Sequence, residues 1–524
     1  MSARVTKWLG NPVVISAVSL VVLISSTSSV AGNNYSPGGW PTLHKDAGNR
    51  RSSSAAVTGR DYNHWTALAG ASVLTAPVTS PDGQQLYLTT GLPRGHANLH
   101  AVSIDGSVIW ESSPWTDADQ GVDPCAILSS PIVDSNGDIY ISDCNQLFAF
   151  ASDGTRKWVT PLPALQEGDW VAAGDHPVNA FTTAAFTADG DVMGVTNFGD
   201  VVITDRDVGA ILNAPFRLPA VLAPYASKHR LPDSLLSDGL MDPAFREWAW
   251  QVIFAGNMRS ANTPAVSSDG RIFVVGSSNE SGIGALFALD VDSSVQPYEV
   301  SVAFSTRIGI GSGSSPALSP SEQQVYVSDE EGWLYAIDSD SGKVDWKVKT
   351  AAAAGAAAVG PDGTVYALQE HPAPAVIAVS PRGEILWESD ASPLLRDLPG
   401  SLILGDPVAV ANGNPAVAAN AILVPVLYGY ALPFTAINLP FRSTVIALDP
   451  RTGKATGELV DLADDSSGIT AVLPDGTLVN SLGSTITSAI SPLRPISNLL
   501  LPEPFSLLEP RGGVQVSVPA DNSP

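Results

Sequence analysis

Cysteine is almost missing from this chain, which has only Cys125 and Cys144 among 524 residues. Two isolated cysteines do not make a four-ligand zinc set, and no Cys-x-x-Cys-His haem attachment site is present. Basic residues are scarce too: 27 Lys and Arg stand against 52 Asp and Glu, a formal charge of -25. Such a surface repels a phosphate backbone, which excludes nucleic acid as a partner, and it repels an anionic membrane. The apolar run Val13 to Ile24 is about a dozen residues, too short to span a bilayer, for which roughly 20 are needed. Arg4 and Lys7 precede that run and Ser29-Val30-Ala31 follows it, the pattern of an export signal cleaved after Ala31. The mature chain is expected in the periplasm or outside the cell, without a transmembrane span. There an even cysteine count predicts a disulfide, two buried thiols being the alternative. CAILSSPIVDSNGDIYISDC reads as two strands about the turn Asp134 to Gly137, setting Cys125 and Cys144 nearly opposite each other.

Turns and short apolar strands are plentiful, with 46 Gly, 41 Pro and 44% apolar residues. QVYVSDEEGWLYAIDSDSGKVDWKVK (324–349) contains a strand, a turn, a second strand, a Ser341-Gly342 turn and a third strand carrying Trp346, and SGSSPALS supplies one more strand before them. The pattern recurs. Its third strand returns as LHAVSIDG (99–106), LFAFASDG (147–154), VVITDRDVG (201–209), LFALDVD (286–292), VIAVSPRG (376–383), VIALDPRTG (445–453) and, more weakly, LLEPRGG (507–513). Its first turn returns at Asp82-Gly83, Asn136-Gly137, Asp189-Gly190, Asp269-Gly270, Asp362-Gly363, Asn412-Gly413 and Asp475-Gly476, pairs that tolerate the positive φ of tight hairpins. Units of about 40 residues built from four antiparallel strands are the signature of propeller blades. The expected fold is therefore all-β: an eight-bladed β-propeller of four-stranded antiparallel blades over residues 63–516, with apolar loop insertions on one face. A signal (1–31) and an extended segment (32–62) precede it, and a flexible tail (517–524) follows. HWTALAG (64–70) is expected to complete the last blade, with VQVSV (514–518) competing for that slot.

The motif AIDSDSGKVDW (336–346), with its partial copies SIDGSVIW, ASDGTRKW, SPRGEILW and ALDPRTGK, resembles the pyrroloquinoline quinone (PQQ)-type propeller repeat. WPTLHKDAGNRRSS (40–53) is also similar to the opening of many such proteins. The resemblance implies two kinds of relative. Quinoprotein alcohol dehydrogenases hold PQQ and calcium on the axis, with an adjacent-cysteine disulfide stacked on the quinone, a Trp platform, calcium ligands and a catalytic Asp. The outer-membrane assembly lipoprotein has the repeat without the cofactor. This sequence has no adjacent cysteines, and its Trp110, Trp158, Trp346 and Trp387 fall at fourth-strand positions where the family docks neighbouring blades.

In such blades the connections after second and fourth strands share one face. The long segments follow those strands: 91–98, 112–124, 161–177, 213–257, 388–402, 423–442 and 484–505. Function is expected on that face. Three insertions are apolar and proline-rich: AILVPVLYGYALPFTAINLPFR (421–442), SAISPLRPISNLLLPEPF (488–505) and NAPFRLPAVLAPYASKHRLPD (213–233), the last leading to a short helix, DPAFREWAWQVIF (242–254). They form either a cap that packs on itself or the wall of a site for an apolar ligand or protein partner. His96, His176, His229 and His371, the last beside Glu370, are the candidates for general-base or metal chemistry. WTDADQGVDP offers Asp117, Asp119 and Asp123 as weak calcium ligands. The functional expectation is an exported, cofactor-free binding or scaffolding propeller; the alternative is an axial enzyme, either a divergent quinoprotein with PQQ and calcium or a His-dependent hydrolase or lyase.

Overall fold

Eight antiparallel sheets follow one another along the chain. The structure is a computed structural model that describes residues 34–520 apart from 60, 118–119, 170–178, 222–258, 261, 281, 312–313, 351–354, 370–372, 397, 399–405, 412, 432–437, 467, 484–486, 488–493 and 496–505. Blades 1 to 7 span residues 78–111, 132–161, 185–217, 265–310, 317–349, 358–390 and 407–462. Blade 8 takes three strands from 471–519 and its fourth from Tyr62–Ala67, which pairs in register with Gly513–Pro519. The ring is thus clasped by the N-terminal strand. VQVSV does not compete for that slot, because it is the third strand of the same blade, and LLEPRGG lies before it. Among the described residues no helix is long and apolar enough to cross a membrane.

The fourth-strand tryptophans join blade to blade. Each lays its ring on a glycine of the next blade and donates its indole N–H to a carbonyl there: Trp110 to Ser152 (3.0 Å), Trp158 to Arg206 (2.9 Å), Trp346 to Pro381 (2.9 Å) and Trp387 to Pro450 (3.1 Å). The glycine is required twice over. Gly383 has φ +83, and a Cβ there would stand 2.8 Å from the Trp346 ring. Gly383→Ala is therefore expected to cost about 2 kcal/mol in denaturant unfolding. Gly168→Ala, at φ +89 with no atom within 4 Å, should cost less because it carries the backbone penalty alone.

Blade 7 departs from the expectation. Residues 421–442 are mostly strand, not loop: Ala421–Ala431 and Asn438–Leu448 form a long hairpin. Pro425 is tolerated because it falls between two inner partners. Ala416–Ala418 pairs with residues 421–423 and Pro407–Val410 with 427–430, so no ladder bond is asked of its missing N–H. The first turn of this blade is accordingly Ala419-Asn420, and Gly413 precedes the inner strand. The hairpin side chains Tyr428, Tyr430, Leu439 and Phe441 are buried with Ala391, Leu507 and the turn at Leu394 and Leu395, as a cap packed on itself.

Connections after first and third strands are short, the longest being 205–215 in blade 3. There Asn213 leaves the ladder to pair with Tyr298 of blade 4, and its side chain takes over the strand's bonds to Ile203 N and Val201 O. This smooth face carries the N-terminal segment as a hub. Carbonyls of Trp40, Pro41, Ala47, Gly48, Arg50 and Arg51 accept from the inner strands of blades 1, 2, 4, 5, 6 and 7, at Thr79, Val133, Val266, Leu318, Val359 and Val417, over 2.8–3.0 Å. The Tyr35 hydroxyl accepts from Phe186 N of blade 3. Blade 8 is reached through the clasp strand itself. The segment is folded rather than extended, with positive φ at Lys45, Asn49 and Arg51.

Candidate functional site

Long connections after second and fourth strands make the opposite face the elaborated one, and its described part is richest at blade 1. Two of its loops are zipped together there: Gly95 N donates to Trp115 O, and Trp115 N to His96 O. The Arg94 guanidinium lies 5.4 Å over the Trp115 ring. His96 is exposed on this loop and lines a cavity of about 550 Å³ together with Leu92, His100, Val108, Ile109 and Glu111. Val108 and Ile109 are 47% and 46% exposed, an apolar rim beside polar groups.

His100 is the polar group that sequence reasoning missed. It sits inside a strand, facing Glu111 across the hairpin. Its Nδ1 lies 3.0 Å from Glu111 Oε1 and its Nε2 3.0 Å from Thr90 Oγ1. Burial pushes the imidazole below its ordinary range, against the pull of Glu111. The ring bridges Glu111 and Thr90, whose hydroxyl also meets Asn98 Oδ1 at 3.0 Å, so the four side chains form one polar relay. Thr90 is fully buried, so the relay braces the cavity wall and presents no hydroxyl to a substrate.

Cys125 and Cys144 form the disulfide, with Cα atoms 4.9 Å apart. They do not face each other on paired strands. Cys125 lies in the 3-10 turn Pro124–Leu128 and Cys144 just beyond Ile139–Ser142. The link between them is Asp123, whose carboxylate caps the turn by accepting from Cys125 N (2.9 Å) and Cys144 N (3.1 Å). Its carboxylate and the two sulfurs lie within 4.8 Å of one another, but sulfurs bonded to each other supply no thiolate to a metal. Of the calcium candidates, Asp117 is exposed in a bridge to Gln120, Asp123 is buried in the cap, and Asp119 lies outside the described residues. His176, His229, Glu370 and His371 also lie outside them, as do the expected helix 242–254 and most of 488–505.

Two long insertions, on either side of 170–178 and 222–258, are tied down by a buried ion network. Asp169, with no exposed side-chain surface, accepts from Arg217 and Arg259 at 3.0 Å, and Arg217 also grips Asp200 at 2.7 Å.

The smooth face has cavities at blade seams: about 620 Å³ between blades 8 and 1, about 1010 Å³ between 6 and 7, and about 340 Å³ between 3 and 4. Beside the last, burial pushes the Asp191 carboxyl up to about 6 despite the hydroxyl donated by Tyr298, and Asp205 and Asp189 push the same way. A raised carboxyl stabilises the fold while protonated, and this contribution fades as pH rises from about 4 through 6. Asp191→Asn is thus expected to melt above the wild type at pH 8, with the gap closing by pH 4.

The family model described as outer membrane protein assembly factor BamB matches residues 240–422 and 301–466. No curated protein matches the sequence. Among solved structures, a europium-containing methanol dehydrogenase aligns over 92% of this chain and 98% of its own, at 13% identity and a TM-score of 0.56. Quinohemoprotein alcohol dehydrogenase from Comamonas testosteroni aligns over 93% of this chain and 81% of its own, at 12% identity and a TM-score of 0.56. BamB from Moraxella catarrhalis aligns over 88% and 99%, at 13% identity and a TM-score of 0.48. At these identities the likeness is one of fold.

Proposed function

We propose that this chain, a PQQ-like β-propeller, is a binding or scaffolding protein that takes a protein partner on its loop-rich face. The observation that carries this reading is the asymmetry of the ring. Main-chain bonds from residues 40–51 tie six blades together on the smooth face, while the long insertions follow second and fourth strands and so belong to the other. A rigid scaffold with elaborated loops on one side is built for recognition. The apolar rim of Val108 and Ile109 over the His96 cavity suits a hydrophobic anchor side chain of the partner.

The donor set counts against quinone. The family's stacked disulfide joins adjacent cysteines, whereas Cys125 and Cys144 are separated by 19 positions and held against the Asp123 cap. A disulfide persists in an oxidising compartment, which agrees with the export expected from residues 1–31.

The test is co-purification after mild cross-linking in the native host. Ile109→Asp should lose the cross-linked partner at least tenfold. Val344→Asp, on the corresponding outer strand of blade 5 and 42% exposed, should retain it. Equal loss or equal retention in both variants contradicts the reading.

A further inference from the structure

The seam between blades 8 and 1 departs from the other tryptophan seams. In blades 1, 2, 5 and 6 the fourth-strand indole pairs with a second-strand tyrosine, as Trp110 does with Tyr87, at 5.8–5.9 Å between ring centroids. Trp65 holds the fourth-strand position in blade 8, and across the ladder, past Val516, the second-strand residue is Val479. No aromatic ring pairs with Trp65 among the described residues. One face of its indole lies on Gly106, where a Cβ would stand 3.0 Å from the ring. The indole also lines the cavity of about 620 Å³ at this seam, with Ile104, Leu473 and Val518 as further apolar wall. That volume falls within the range of small-molecule sites, roughly 300–1,000 Å³.

The rim of this cavity carries charge of one sign. Asp82, Asp105 and Asp475 line it, no Lys or Arg does, and His64 is the one other titratable group along it. Asp82 uses Oδ1 on its own turn, accepting from Ser80 Oγ (2.6 Å) and Gln84 N (3.0 Å), and Asp105 Oδ1 likewise accepts from Ser107 Oγ (2.9 Å) and N (3.2 Å). The Oδ2 atoms of both accept nothing among the described residues. The same serine hydroxyls hold the two carboxyls below their ordinary range, so both are charged at neutral pH. An anion is repelled by such a rim and by the negative face of an indole. A metal ion is not suited either, because among the described residues only Asp123, Cys125 and Cys144 gather three ligand atoms within 4.8 Å. Separated carboxylates beside an aromatic wall fit a cation with apolar bulk. We propose that the cavity between blades 8 and 1 binds an organic ammonium ion, its alkylated nitrogen lying against the Trp65 indole and facing the Asp82 and Asp105 carboxylates. The site belongs to the smooth face, so it stands or falls apart from the partner surface on the other.

The test is calorimetric titration of the full mature protein with choline, with the neutral isostere in which a tert-butyl group replaces the trimethylammonium, and with maltose. Choline is expected to bind saturably, the isostere at least about tenfold more weakly, and maltose not at all. Asp82→Asn combined with Asp105→Asn should weaken choline about tenfold and leave the melting midpoint in place, since both side chains are exposed and Asn keeps the turn bonds. Trp65→Leu should weaken choline as well; that ring also docks blade 1, so if the variant does not fold, the comparison of choline with its isostere on the wild type decides. No saturable binding of choline, equal binding of the isostere, binding of maltose in its place, or undiminished binding in the double variant overturns the proposal.

Discussion

A chain that begins at residue 70, without hub or clasp, is expected not to be recovered as a soluble, cooperatively folding protein. Two losses combine. Tyr62–Ala67 supplies the whole outer strand of blade 8, and without it Gly513–Pro519 becomes a bare edge open to association with other chains. The hub contributes six main-chain bonds to six blades, at roughly 1 kcal/mol each. It also buries Trp40 completely, a side chain whose loss alone costs about 3–5 kcal/mol. Together these rival the whole net stability of a typical domain, about 5–15 kcal/mol. A chain that begins at Asp61 separates the two, since it keeps the clasp strand and loses only the hub. It should fold with a lower midpoint in calorimetry. Unchanged melting of either truncated chain contradicts the closure described.

Asp169→Ala should lower stability by about 3 kcal/mol in denaturant unfolding, the cost of stranding partly buried charges. Arg217 retains Asp200, so the larger share falls on Arg259, whose other partners among the described residues are the carbonyls of Ala220 and Phe198. Because the carboxylate is buried, the difference between variant and wild type should persist in 0.5 M salt, about where the screening length is far below 10 Å. A loss below about 1 kcal/mol marks the network as ornamental.

The blades were legible because each is a local event. Two strands, an Asp-Gly turn, an alternating third strand and a tryptophan are written within about 40 consecutive residues. The tryptophans could be assigned for the same reason, since each docks on a glycine that belongs to the repeat. Blade 7 misled because its prolines read as loop. What excuses Pro425 is the change of inner partner from 416–418 to 407–410, a tertiary fact with no local mark. The hub was illegible for a related reason, as residues 34–57 have no period and take their partners up to hundreds of positions away. Asn49, for example, donates to Thr263, Pro264 and Pro316. At the candidate site, His96 was singled out because it stands in a loop. His100 was missed because it stands in a strand, although a hairpin about Asp105-Gly106 already sets it opposite Glu111. The partners of Asp169 lie 48 and 90 positions along the chain, beyond any sequence pattern.

The most direct measurement of the two-faced ring is site-specific photo-cross-linking in the exporting cell. A photoreactive side chain replaces His96 on the loop-rich face in one strain and Asp449 on the smooth face in another. A discrete protein adduct from position 96, with none from 449, is the expected result. Adducts from 449 alone, or equally from both, contradict a partner bound on the elaborated side.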